Sequence, residues 1–161
     1  MLFDLPTFTL IHIVLSLLGI FSGLVVVGGF MAGVRLDGWI GAYLITTVLT
    51  NVTGYGFPFL TLLPGHIVGA ISLVLLAIAI AARYWKHLAG GWRKVFVVTS
   101  VLALYLNVLI LVDQLFRKTV VLLAIAPTQK SPPVLVTQLL VVVVFVFMGR
   151  AAVRGFGTPR T

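Results

Sequence analysis

Five long apolar runs, separated by short polar or basic segments, organise this chain: residues 8–34, 39–57, 62–84, 95–116 and 134–152. A helix that crosses a membrane needs about 20 predominantly apolar residues, and each run is close to that length or above it. Inside lipid the backbone has no water to bond, so such a run folds as a helix. The β-branched stretch 141–144 does not argue for strands, because the runs lack the strict alternation of a barrel. The pattern predicts an all-α integral membrane protein, a single bundle of five transmembrane helices over residues 1–161.

The least regular stretch is 51–69, NVTGYGFPFLTLLPGHIVG, which joins the second run to the third. Its prolines forbid a continuous helix, and Pro64-Gly65 is a natural start for the third one. A half-buried hairpin around 57–64 with four full spans is the competing topology. After the fourth run, the apolar first half of the loop TVVLLAIAPTQKSPP is suited to lie in the interface as a short amphipathic helix.

Composition supports the membrane reading. Hydrophobic residues make up 61% of the 161 and charged ones only 9%, against about 25% charged in soluble domains. The net charge of +8 raises the question of nucleic acid. The cations cluster at the ends of the apolar runs rather than in a stripe interleaved with aromatics, so nucleic acid is excluded as a partner and the lipid bilayer expected. With the N-terminus outside, the inner face collects Arg35, Arg83, Lys86, Arg93, Lys94, Arg150, Arg154 and Arg160, and the outer face only Arg117, Lys118 and Lys130. The positive-inside rule then places the C-terminus in the cytoplasm, with Trp39, Trp85 and Trp92 at the inner interface. The first run follows MLFDLPTF, which carries an Asp and no cation, unlike the basic start of a signal peptide. The absence of cysteine removes disulfides, iron–sulfur clusters and thiolate metal sites.

Candidate chemistry gathers in the outer half. His12, Asn51, His66, Asn107, Asp113, Gln114 and Gln138 come from all five runs and fall at outer depths. Polar groups at membrane depth face a bundle interior or a wet cavity and mark sites by default. They predict an outer-leaflet pocket for a small or lipid-like ligand. The same residues also serve, in the plainer reading, as bonds between helices, each contributing about 0.6 kcal/mol. His12 and His66 lie at matched depth, which raises b-type haem ligated by the pair as an alternative; a structural subunit of a larger complex is a third. For Asp113, an i,i+4 pair with Arg117 is the simplest role. No catalytic residue is assigned, since the chain has no Cys and no recognisable nucleophile–base motif, and an enzyme is the less favoured class. Gly19, Gly23, Gly29 and Gly33 form two GxxxG spacings on the first helix, suited to close packing within the chain or to a homo-oligomer.

The segments VLTNVTGYGFPF, LLPGHIVGAISL, ALYLNVLILVDQLF and APTQKSPP resemble small polytopic inner-membrane proteins encoded in bacterial genomes. The likeness covers most of residues 45–140. It implies a bacterial inner-membrane location and carries no activity, cofactor or catalytic residue with it. The Trp- and Pro-rich signature of the tryptophan-rich sensory proteins is missing.

Overall fold

A computed structural model describes residues 5–57 and 64–157. The centre of the predicted turn, 58–63, and Arg160 lie outside the described residues. Among the described residues six α-helices follow in order: α1 (Leu5–Met31), α2 (Asp37–Gly54), α3 (Pro64–Ile80), α4 (Trp92–Lys118), α5 (Val120–Ile125) and α6 (Pro132–Ala152). Two π-helical turns extend α3 and α6, at Ala81–Trp85 and Val153–Gly157. No strand occurs among the described residues.

Among the described residues four segments are long and apolar enough to cross a membrane: Pro6–Met31, Pro64–Trp85, Trp92–Lys118 and Pro132–Gly157. The chain is an all-helical, multi-pass membrane protein. The 18-residue α2 falls short on apolarity because Asp37, Tyr43, four threonines and Asn51 dilute it. Its polar side chains are satisfied by bonding back to the helix's own carbonyls: Thr46 to Ala42 O, Thr50 to Thr46 O, Thr53 to Leu49 O and Asn51 Nδ2 to Thr47 O, all within 2.8 Å. The loop between α4 and α6 carries α5, the short apolar helix that its sequence predicts.

The centre of the bundle is α4. It packs on α1, α3 and α6, and its most apolar window is 44% buried, against 11% for α6, which lies at the periphery. Its buried residues, from Phe96 to Asn107, spread round more than one face. Meanwhile α2 lies between α1 and α3, which scarcely touch each other directly.

The glycine face of α1 is occupied by the chain itself. A Cβ on Gly23 would meet the Leu104 and Tyr43 side chains at 2.6 and 2.9 Å, and one on Gly19 would meet Thr47 Oγ1 at 3.1 Å. Those two positions are therefore where α2 and α4 come closest to α1. Gly33 has a different use: its φ of 71° closes the C-terminus of α1, letting Val34 N–H bond Gly29 O at 2.8 Å.

At the end of the bundle where α1 stops and α2 and α4 start, an aromatic knot ties down the π turn Val153–Gly157. Phe156 stacks on Phe30 with centroids 5.1 Å apart, Phe30 meets Phe96 edge-on at 5.6 Å, and the Arg93 guanidinium lies 4.9 Å from the Phe156 ring centroid. Gly155 lies directly against the carbonyls of Phe30 and Met31. Most cations gather at this end, so we call it the basic end. The linker from α3 to α4 is also held there: His87 and Leu88 both take positive φ, and Leu88 is buried in the core while its N–H bonds Ala82 O.

Candidate functional site

Most of the polar residues singled out from the sequence sit toward the end opposite the basic end, but they divide among separate local bonds. His12 Nδ1 lies 2.9 Å from Thr53 Oγ1. The Thr53 hydroxyl already donates to Leu49 O at 2.7 Å, so His12 Nδ1–H is the donor. The imidazole also meets the Phe57 ring edge-on at 5.1 Å. On the other side, Tyr55 donates its hydroxyl to His66 O at 2.6 Å, and its ring lies 5.5 Å from the His66 ring. Thr53 lies in the last turn of α2 and Tyr55 is the residue that caps it. Because α1 and α3 each pack on α2 and scarcely on each other, this end of α2 stands between His12 and His66. The residues present do not fit bis-His ligation. Nor does any group of three His, Cys, Asp or Glu among the described residues suit a metal ion.

Asn51 is buried and bonded within its own helix, its Oδ1 facing Gly69 of α3. Asp113 pairs with Arg117 at 2.6 Å, the expected i,i+4 contact, and also accepts from Gln129 Nε2 at 2.8 Å. These groups edge a small cavity of about 140 Å³ under the loop between α4 and α6, which takes in Asp113 alone of the predicted set. Gln138 donates to Leu109 O at 3.3 Å, and Gln114 is half-buried beside Asp113. Asn107 Nδ2 and Gln138 Oε1 are buried without a protein partner among the described residues, and so are Thr47 Oγ1, Ser72 Oγ and Ser100 Oγ. Such atoms are natural seats for ordered water. Ser72 heads the buried face of α3, with Gly69, Leu76 and Ala79; it escaped attention as a single Ser in an apolar run.

The basic-end half is not purely apolar either. Ser22 and Thr99 are buried there, each bonded back into its own helix. Tyr43, only 1% exposed, reaches across to donate to Ser100 O at 2.8 Å. At the surface of this end Asp37, just outside the apolar run of α2, takes Arg83 at 2.7 Å and Arg35 at 3.0 Å. The hydrogen bond from Arg83 holds its carboxyl below the usual carboxylate range, with the charge of Arg35 acting in the same direction.

An apolar opening lies elsewhere, between α4 and α6 in the basic-end half. It is a groove of about 500 Å³, walled by Val98, Val101, Leu102 and Tyr105 of α4 and by Val142, Phe145, Val146 and Gly149 of α6. Arg150, Val153 and Arg154 complete it at its mouth. Two features shape it. Gly149 removes a side chain from the wall, and a Cβ there would rest on Val101 at an ordinary 3.5 Å. The ring of Tyr105 meets that of Phe145 edge-on at 5.6 Å deep in the groove. None of the seven residues chosen from the sequence lines it. The available signal was Gly149-Arg150 followed four residues later by Arg154, which the positive-inside rule absorbs as an orientation mark. Comparison with known proteins adds no relative: no family model, no curated protein and no solved structure matches the chain.

Proposed function

We propose that the chain is a five-span protein of the bacterial inner membrane that binds a lipid-like amphiphile in the groove between α4 and α6. The carrying observation is the groove itself, about 500 Å³ of apolar wall ending on two arginines. Its volume is within the range of about 300–1,000 Å³ usual for ligand pockets. From Val142 to Arg154 it follows α6 for about 18 Å at 1.5 Å per residue. One leaflet is about 15 Å, half of a hydrocarbon core of about 30 Å. The groove is thus one leaflet deep, and its charged mouth coincides with the headgroup level. Its lining offers apolar surface, one phenol and two guanidinium groups, a set for holding an amphiphile rather than transforming one.

The topology in this reading has α2 as the fifth span. Its 18 residues reach about 27 Å, and its back-bonded threonines lower the cost of a polar helix in lipid. Arg35, Arg83, Lys86, Arg93, Lys94, Arg150 and Arg154 share the basic end, which supports a cytoplasmic location for it and an outside N-terminus. The ligand therefore enters from the cytoplasmic leaflet.

A fatty acid with a diazirine in its acyl chain tests this on the full chain in detergent. Photolysis should label residues 98–105 and 142–153, and Gly149→Trp, which fills the groove from its own wall, should abolish that labelling. Labelling spread over the other exposed apolar faces, with no response to the Trp, would leave a structural subunit as the better account.

A further inference from the structure

The walls of the groove accept any acyl chain, so discrimination must come from its mouth. We infer that the site selects an anionic phospholipid, with the phosphate held by Arg150 and Arg154 and one acyl chain lying between α4 and α6. This rests on the amphiphile reading of the same groove.

Charge is the first support. Among the described residues seven cations occupy the basic end, and Asp37 is the one carboxylate there. Asp37 is already engaged by Arg35 and Arg83, while Asp113 pairs with Arg117 at the opposite end. Arg150 has no carboxylate partner among the described residues. A phosphate supplied by the ligand gives Arg150 the anionic partner that the described residues do not.

Geometry is the second. Arg150 and Arg154 are four residues apart and both line the groove. Arg154 sits in the π turn beside a fixed point: Gly155 rests on the Phe30 and Met31 carbonyls, and Phe156 is clamped between Phe30 and Arg93. The backbone at Arg154 is therefore anchored, and the exposed Arg150 and Arg154 side chains both rise from the α6 side of the groove. Two planar forks suit phosphate oxygens in a way that ammonium groups do not. A phosphatidylcholine offers the same phosphate but brings its own cation into a field of positive charge, so the net anionic lipid is preferred.

The test uses full-length protein in nanodiscs of equal phosphatidylglycerol and phosphatidylcholine with identical chains. The protein is extracted in mild detergent and its retained lipid counted by mass spectrometry. Wild type should favour phosphatidylglycerol about thirtyfold, the equivalent of about 1 kcal/mol for each of two arginines at tenfold per 1.4 kcal/mol. Arg150→Gln with Arg154→Gln should bring the ratio near one while a lipid is still retained, and the double Lys variant should recover part of the preference. Arg117→Gln with Lys118→Gln, at the other end, should leave it unchanged. Equal retention of both lipids by wild type, or an unchanged preference in the double Gln variant, overturns the selectivity and leaves the amphiphile reading intact. Failure of wild type to retain any lipid overturns both. Should the double Gln variant fail to fold, the wild-type ratio still decides.

Discussion

Gly155→Ala puts one methyl group where the structure has no room for it. The added Cβ would meet Met31 O at 2.6 Å and Phe30 O closer still, and both are backbone atoms at the end of a packed helix. No rotamer change relieves that contact, so the π turn must lift away from α1. Lifting it separates Phe156, 6% exposed, from Phe30, 0% exposed. Overpacking of this kind costs about 1–3 kcal/mol, and the aromatic pair adds about 0.5–1.5 kcal/mol. A destabilisation of about 2–4 kcal/mol follows, or on the order of 5–15 °C in melting temperature for a chain of this size. The control is Gly28→Ala, an exposed helical position where a Cβ meets nothing within 4 Å. It should be neutral or stabilising by up to about 1 kcal/mol, the helix propensity difference. Thermal unfolding of both variants in the same detergent is the assay. If Gly155→Ala melts within about 1 °C of wild type, the account of the basic end is wrong.

Three further outcomes follow. Tyr43→Phe removes the buried bond to Ser100 O and should cost about 0.6–1.7 kcal/mol, the span for interhelical bonds in membranes, read as a fall of a few degrees; an unchanged melting temperature would show that the bond contributes nothing. The lowered pKa of Asp37 stabilises the fold above the unfolded carboxylate value of 3.8, and this contribution is lost as pH falls through the depressed folded value. Wild type should therefore lose more stability than Asp37→Asn on acidification from about pH 5 to 3, and parallel curves would remove Asp37 from the account. Protein purified from haem-supplied cells should give a featureless reduced-minus-oxidised spectrum, because α2 separates His12 from His66; sharp α and β bands lost on either His→Ala change would contradict this placement.

Much of the architecture was legible because hydropathy reports membrane depth directly. The predicted run 134–152 became α6, Pro132–Ala152, and Pro64 does open α3. The bounds moved where hydrogen bonding outlasts apolarity: α4 extends to Trp92 and Lys118, while α1 stops at Met31 because Gly33 turns the chain, not at Val34. Polarity is less direct to read. Asn51, Thr46, Thr50 and Thr53 bond back within one helix, so their depth alone does not define a shared pocket. The groove was hidden for a different reason. It is an absence of side chains between residues 98–105 and 142–154, created by Gly149 and by how α6 leans on α4, and no local pattern encodes a gap between distant helices.

Native mass spectra of wild type and Gly149→Trp released from the same detergent decide whether the α4–α6 groove holds an amphiphile. Wild type should carry a lipid-mass adduct that is lost when the Trp fills the groove. Identical adducts on both proteins would place any bound lipid somewhere else and contradict that reading of the groove.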